Sequence, residues 1–411
     1  MAKPHSTLPV LDFAHGSKNL FPPESLEETR QMIENLCIHI KFASKIEKCE
    51  KFIGGNNTAI AFTCLPLKAK NKNQRIACIL RTPIKNHSIT NPPTNIHLKS
   101  IVAITQNLRR NFDLPIPVTL AWDCTYENPI RSSYTILERV MGETLEYEYR
   151  KLCKGLEYKT LRHPHDLRRR CKYAKCVAEF VAALDRTSLP GYGTFVPHAN
   201  MPNIGNFTSA TSSLQISRST INGVRIPSEP IFAQWVANVL NARMRKMMDI
   251  HSVDMTAEEK FKIHTLAKIG TEMEQKGLLL DEAAVVWHLD FYPRNIMVRS
   301  SRNSAMLTGV IDWDDAKAVP RIIARRPPTF LWNINMPENP LLPEEKTIIA
   351  TAFNEEMERL RPGYLKDAYL GHRVMVRALC VYAFFGVEYR FYRELSFGDL
   401  VRRWEEFMGR A

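Results

Sequence analysis

The spacing of apolar residues predicts helices along most of the chain. Residues 25–28, Ser-Leu-Glu-Glu, have the form of a capping box, and apolar residues follow them every three or four positions. This spacing predicts a helix from about 25 to 43 and another that begins near Leu98. Further helices are predicted at about 165–186, 229–250, 257–276, 343–360, 365–392 and 397–409. The second part of the chain is therefore expected to be mainly helical.

Short runs of β-prone residues interrupt the helical pattern in the first part of the chain. They cover about 57–62, 76–83, 118–122 and 133–138. Strands and helices mixed in this way indicate an α+β lobe. We divide the chain into an irregular leader (1–24), a small lobe (25–140), and a large helical lobe (141–411). Residues 197–228 are rich in Asn, Ser, Thr, Gly and Pro and predict a loop insertion in the large lobe.

A turn of two glycines and two asparagines, residues 54–57, lies between β-prone runs of the small lobe. Glycine permits backbone conformations in which N–H groups come close to a ligand. The same residues also suit an ordinary hairpin turn. The sequence leaves both interpretations open.

The composition indicates a folded protein without a membrane span. The chain has 411 residues, of which 45% are hydrophobic and 24% charged, as in ordinary globular proteins. No run approaches the roughly 18 apolar residues of a membrane helix, and the first residues lack the apolar stretch of a secretory signal. We therefore expect an intracellular, cytoplasmic protein. The nine cysteines are scattered and odd in number, which favours free thiols.

The net charge of +13 raises the question of nucleic-acid binding. The densest basic region, residues 162–172, continues into apolar residues at helical spacing, which favours a solvated helix face. Neither zinc-finger spacing nor an aromatic-interleaved basic sheet accompanies it. Nucleic acid is therefore the less favoured partner, although a positive field also attracts smaller anions such as nucleotides.

Residues 285–298 contain the strongest chemical signal of the chain. Asp290 stands five residues before Asn295, between two apolar runs that read as strands, and Asp312 follows seventeen residues after Asn295. Strands at 296–298 and 308–311 would form a hairpin and bring Asn295 and Asp312 to the same end. Kinases use an aspartate, an asparagine and a second aspartate in this order to place a hydroxyl and Mg²⁺ over the γ-phosphate of ATP.

Several ordered motifs accompany this signal over roughly residues 45–335. They are the loop at 287–298, the Gly-Val-Ile-Asp-Trp-Asp-Asp-Ala run at 309–316 with Pro320 after it, the turn at 54–57, the strand end at 80–83, the run at 137–142 and the Leu-Pro-Gly-Tyr-Gly of 189–193. Together they make the sequence resemble the aminoglycoside phosphotransferase and choline kinase-like superfamily. The similarity is greatest to the fungal proteins that carry this domain.

The resemblance implies a two-lobed, protein kinase-like fold and the use of ATP and Mg²⁺ to phosphorylate a hydroxyl of a small-molecule acceptor. It implies that Asp290 is the catalytic base, that Asn295 and Asp312 bind Mg²⁺, and that His288 orients the loop from behind. It places the remaining nucleotide contacts at Gly54, Gly55, Asn57, Arg81, Glu138 and Val140, the last two in an inter-lobe hinge. The sequence indicates neither the identity of the acceptor nor an oligomeric state.

Two positions depart from the superfamily pattern. Arg81 stands where a lysine is often found, and it keeps the charge and the ability to grip phosphate. Ser100 stands where the following helix normally brings a glutamate to pair with that cation. For Arg81 a structural salt bridge is the alternative to phosphate binding. For the whole chain, the alternative to a phosphotransferase is a catalytically weak or inactive kinase-like binding or scaffold protein.

Overall fold

The computed structural model describes residues 22–23, 25–52, 57–67, 74–83, 95–151, 164–198, 200–206, 214–217, 232–248, 256–280, 282–301, 304–333, 341–387 and 394–410. Gly54 and Gly55, the leader up to residue 21 and most of the predicted insertion at 197–228 lie outside these residues. Two short strands are described within the range of that insertion, at 204–206 and 214–217.

Most of the helices lie close to the predicted ones, and two short helices, at 145–151 and 321–324, were not predicted. They are α1 (Leu26–His39), α2 (Asn95–Phe112), α3 (Leu145–Lys151), α4 (Pro164–Asp185), α5 (Phe232–Met248), α6 (Ala257–Gln275), α7 (Arg321–Ala324), α8 (Pro343–Leu360), α9 (Tyr364–Tyr369), α10 (Gly371–Phe385) and α11 (Phe397–Phe407). Single 3₁₀ turns occupy Pro293–Asn295 and Thr329–Leu331. The helix predicted over 365–392 is two helices, because Leu370 is extended and separates α9 from α10.

The strands include the predicted ones and several that the apolar pattern does not mark. They are β1 (Ala43–Phe52), β2 (Asn57–Pro66), β3 (Ile76–Pro83), β4 (Thr119–Asp123), β5 (Tyr134–Glu138), β6 (Glu143–Thr144), β7 (Gly193–Pro197), β8 (Ile204–Asn206), β9 (Leu214–Ser217), β10 (Ala284–Trp287), β11 (Ile296–Ser300), β12 (Ala305–Val310) and β13 (Lys317–Pro320). β1 was not predicted over its full length because most of its side chains are exposed and polar. The α+β class is confirmed.

Contacts divide the chain into two units. Unit 1 comprises residues 1–93 and 121–138, and unit 2 comprises residues 94–120 and 139–411. The predicted boundary at residue 140 had placed α2 in the small lobe. Instead α2 groups with unit 2, because Ile104 and Leu108 pack with Phe195 and Ala318. The division into a leader and two lobes otherwise stays a prediction.

Unit 1 is built on an antiparallel sheet in which β3 lies between β2 and β5. Residues 59–64 of β2 pair with residues 76–81 of β3, and β1 pairs with the other edge of β2. The helix α1 begins after Ser25, whose hydroxyl accepts a hydrogen bond from the backbone N–H of Glu28. Glu34 ties this helix to the sheet by accepting from the backbone N–H of Ile46 at 3.2 Å.

Unit 2 combines helices with two small antiparallel sheets, ordered β10-β13-β7-β9 and β12-β11-β6. α10 is buried on nearly every side from Arg373 to Phe385, and α5, α6 and α11 contribute to the same core. A second core joins α3, α4 and α8 to the inner face of β11. Packing therefore fixes the strands β10, β11 and β12 against helices on several sides. No helix in the described part of the chain is long and apolar enough to cross a membrane.

Candidate active site

The predicted hairpin around residues 296–311 is present in unit 2. β11 and β12 pair in antiparallel register with Ile296 opposite Val310, and the backbone N–H of Ile311 donates to the carbonyl of Asn295 at 2.9 Å. This register places Asn295 at one end of β11 and Asp312 directly beyond the facing end of β12. The two residues expected to bind a metal are thus brought to one end of the hairpin.

The loop between β10 and β11 holds Asp290 through its own backbone and through Asn295. The N–H of Tyr292 donates to the carbonyl of Asp290, and the N–H of Asn295 donates to the carbonyl of Tyr292, both at 2.9 Å. The buried side-chain amide of Asn295 donates from Nδ2 to the Asp290 carbonyl at 2.9 Å and to its Oδ2 at 2.7 Å. With both amide hydrogens directed at Asp290, Oδ1 of Asn295 is the side-chain atom suited to a cation.

His288 is buried behind this loop. Its Nε2 lies 2.9 Å from the carbonyl oxygen of Ile311, and since a carbonyl only accepts, Nε2 carries the proton. The ring packs against Trp313 at 4.6 Å between centroids. Burial lowers the pKa of the imidazole below its usual value. His288 is therefore a neutral group that links the loop to the residue before Asp312.

Asp312 adopts a left-handed backbone conformation with φ of +67°. Aspartate tolerates this region better than most residues, and such conformations cluster at functional sites. The next residue fixes the turn, because the indole of Trp313 is buried and donates to the carbonyl of Val310 at 2.8 Å. The side chain of Asp312 is half-buried.

The predicted hinge continues into unit 2 and packs on the same hairpin. A Cβ at Gly309 of β12 would lie 2.7 Å from Cγ1 of Val140, so the two residues are in close contact. Gly142, with φ of +125°, approaches the carbonyl of Val298 so closely that a Cβ would lie 2.4 Å from its oxygen. Beyond it, β6 pairs with β11. Val140 thus lies beside the hairpin of β11 and β12, which positions Asn295 and Asp312.

The other predicted nucleotide contacts belong to unit 1. Asn57 opens β2 opposite Pro83, and Arg81 lies on β3 opposite Ala59 of β2 and Thr135 of β5. Glu138 ends β5 and is exposed. Their assignment to the nucleotide stays a prediction, as does that of Gly54 and Gly55.

One residue of the loop was missed in the sequence. Nη2 of Arg294 donates to Oδ1 of Asp290 at 2.5 Å, and its guanidinium lies 5.0 Å from the ring centroid of Tyr292. The spacing of four residues between Asp290 and Arg294 is a weak signal outside a helix, because only in a helix does it bring side chains together. The contact arises from the 3₁₀ turn at Pro293–Asn295.

The donors at the hairpin end suit a hard divalent cation. The amide oxygen of Asn295 and the carboxylate of Asp312 are oxygen ligands, and Mg²⁺ commonly takes one or two protein ligands with the rest from phosphate and water. Among the described residues no group of three or more His, Cys, Asp or Glu side chains is placed to hold a metal. Two oxygen donors from the protein would leave the other positions around such an ion to phosphate and water.

Comparison with known proteins identifies the family to which the chain belongs. Residues 90–323 match the model of the phosphotransferase enzyme family. The chain belongs to this phosphotransferase family. The predicted resemblance is confirmed, and the sheet-based unit 1 and the mainly helical unit 2 agree with the fold that it implied.

More distant similarities accompany the family match. Subtelomeric hrmA-associated cluster proteins from two strains of Aspergillus fumigatus are 37% identical over 86 residues, which are 21% of this chain and 16% of theirs. The match thus spans about a sixth of the length of these relatives. A thermostable mutant of aminoglycoside phosphotransferase APH(4)-Ia, solved with ADP and hygromycin B, is 14% identical, with 84% of this chain and 89% of that chain covered and a TM-score of 0.44. An ethanolamine kinase of Plasmodium vivax is 11% identical, with 94% of this chain and 91% of that chain covered and a TM-score of 0.39.

Proposed function

We propose that this phosphotransferase family member transfers the γ-phosphate of ATP, with Mg²⁺, to a hydroxyl group of a small molecule. The observation that carries the proposal is the hydrogen-bonded unit of Asp290, Asn295 and Ile311, which joins a base, a cation ligand and the strand leading to Asp312. Family membership supports the reaction type. The acceptor and the nucleotide are inferred from the chemistry of these groups.

In the proposed reaction Asp290 accepts the proton of the acceptor hydroxyl as the new bond forms between that oxygen and the γ-phosphorus. The bond from the γ-phosphorus to the bridging oxygen breaks at the same time, and ADP leaves with the electron pair. Asn295 holds the carboxylate of Asp290 in place, and neutral His288 keeps the loop against Ile311. Asn295 Oδ1 and Asp312 would hold Mg²⁺, which neutralises phosphate charge when bound.

The nucleotide is proposed to lie against Val140 and Glu138 at the hinge. Its phosphates would be met by Arg81, Asn57 and the turn that contains Gly54 and Gly55. Arg81 supports this assignment because a guanidinium remains charged and can hold phosphate oxygens in pairs. We expect the protein to act inside the cell, where ATP and Mg²⁺ are available.

The substitution Asp290→Ala tests the proposal. Loss of the base is expected to reduce ATP consumption stimulated by hydroxyl-bearing metabolites by about 10²–10⁴-fold. A coupled assay of ADP release over a panel of such metabolites measures this effect and identifies the acceptor. Glu355→Ala, which removes an exposed acid on α8, serves as the control and should leave the rate unchanged.

Unchanged turnover in Asp290→Ala would contradict the assignment of the base. Binding of Mg-ATP by the wild type without turnover on any acceptor would instead favour the alternative of an inactive kinase-like binding protein. The departures at Arg81 and Ser100 are the features that would then explain the missing activity.

A further inference from the structure

Arg294 carries a positive charge directly beside the proposed base. Its Nη2 lies 2.5 Å from Oδ1 of Asp290, while Asn295 occupies the other carboxylate oxygen at 2.7 Å. The face of its guanidinium lies over the ring of Tyr292 at 5.0 Å. In this arrangement both oxygens of Asp290 already accept a hydrogen bond from the chain itself.

Both side chains of the Arg294–Asp290 ion pair are accessible to solvent. The side chain of Arg294 is 56% exposed and that of Asp290 is 30% exposed. Ion pairs of this kind contribute little to stability, because water screens them and ordering two side chains opposes them. A phosphate group offers a guanidinium more charge and a matching pair of oxygens. A phosphate that arrives at the loop can therefore compete for Arg294.

We propose that Arg294 binds the γ-phosphate of the nucleotide and releases Asp290 as it does so. The inference rests on the proposed function and adds to it a phosphate-binding residue within the catalytic loop itself. Once Arg294 turns to the phosphate, Oδ1 of Asp290 becomes available to accept the proton of the acceptor hydroxyl. The same move places a cation between two anionic groups that otherwise repel each other.

The surrounding residues favour such an exchange of partners. The contact with Tyr292 does not depend on Asp290, so the guanidinium keeps one neighbour while it changes the other. Pro293 stiffens the backbone before Arg294, and Asn295 after it is tied to Asp290 by two hydrogen bonds. Only the side chain of Arg294 has to move.

Nucleotide affinities measured by titration calorimetry in MgCl₂ test the proposal. AMP-PNP carries a γ-phosphate, and ADP does not. Arg294→Gln is expected to weaken AMP-PNP binding about tenfold and to change ADP binding less than about twofold, because a charge-assisted hydrogen bond is lost for one ligand alone. Arg294→Lys, which keeps the charge, is expected to recover part of the loss. Arg299→Gln, an exposed arginine on β11, is the control and should change neither affinity.

A second measurement tests the exchange itself. Asp290→Asn removes the charged partner of Arg294 and should therefore tighten AMP-PNP binding. This gain in affinity is expected to be about threefold larger when Arg294 is present than in the Arg294→Gln variant. Equal effects in the two backgrounds would overturn the exchange. Equal weakening of AMP-PNP and ADP by Arg294→Gln, or no change in either, would overturn the phosphate contact while leaving the proposed function intact. Absence of nucleotide binding by the wild type would overturn both.

Discussion

Two of the aspartate–arginine pairs in unit 2 have the same chemistry and opposite surroundings. Asp290 and Arg294 are four residues apart, and their side chains are 30% and 56% exposed. Asp185 and Arg325 are separated by 140 residues, and their side chains are 3% and 11% exposed. The first pair belongs to the candidate active site, and the second lies at the end of α4 among helices.

The buried pair is part of a larger network. The carboxylate of Asp185 accepts from Nε and Nη2 of Arg325 at 2.8 and 2.9 Å and from Nε of Arg361 at 2.6 Å. Arg325 continues to Asp367 at 2.5 Å, and Arg373 joins Asp367 to Glu282. Burial raises the pKa of the Asp185 carboxyl, but the two arginines outweigh this effect and hold the pKa below its usual value. The network connects α4 to the segments around α7, α8, α9 and α10.

The two pairs differ in whether water or a ligand can replace one of the partners. Water and ligands can replace either partner of Asp290 and Arg294, so the pair suits a step in which contacts change. Asp185 and Arg325 are shielded from water, so solvent cannot take the place of a lost partner, although Arg325 would keep its contact with Asp367. An ion pair of one type therefore serves reactivity in one place and the packing of helices in the other.

The largest expected effect follows from breaking the buried pair. Asp185→Asn keeps the size of the side chain but leaves Arg325 and Arg361 without the carboxylate, and should lower the free energy of unfolding by about 3–5 kcal/mol. Asp290→Asn should change it by less than about 1 kcal/mol. Urea unfolding followed by circular dichroism measures both. Similar losses in the two variants would remove the distinction between the pairs.

A smaller loss of stability is expected from disturbing the contact between Gly309 of β12 and Val140. Gly309→Ala places a methyl group against Val140 and should lower the free energy of unfolding by about 1–3 kcal/mol. The double variant Gly309→Ala, Val140→Ala should recover most of the loss, since the clash is with the valine methyl groups. Gly371→Ala is the control, because a Cβ there meets nothing within 4 Å. Failure of the second substitution to rescue the first would exclude this contact as the cause.

The smallest expected effect is a difference in how the stabilities contributed by His288 and by Asp185 depend on pH. The folded-state pKa of His288 lies below the usual value of about 6.5, so between these two values the unfolded chain binds a proton that the folded chain does not. The contribution of His288 is therefore complete above about pH 6.5 and is lost as the pH falls below it. The contribution of Asp185, whose pKa is also lowered, is lost only below about pH 3.9.

The replacement His288→Gln keeps a donor for the Ile311 carbonyl and does not titrate. As the pH falls below about 6.5, the wild type should lose up to about 1.4 kcal/mol per pH unit that the variant does not lose. Urea unfolding at several pH values gives this difference. His264→Gln, at an exposed position of α6, should behave as the wild type does. Parallel pH profiles for wild type and His288→Gln would show that the imidazole is not held neutral.

How far the candidate site could be predicted depends on the range of its contacts. Asp290, Asn295 and Asp312 lie within 23 residues of one another, and the strands between them pair as a local hairpin whose register follows from their apolar residues. Arg294 is equally local but was missed, because its contact needs a turn that residue type alone does not indicate. The break between α9 and α10 was missed because the apolar pattern continues through Leu370.

The sequence by itself determined the α+β class, most helices, the hairpin and the order of the residues proposed for catalysis. These depend on spacing along the chain and on local turn chemistry. Only the tertiary structure decided that α2 groups with unit 2, that Val140 packs on Gly309, and that Asp185 meets Arg325 and Arg361. Burial and charge pairing across more than a hundred residues depend on how helices pack, and no local pattern carries that information.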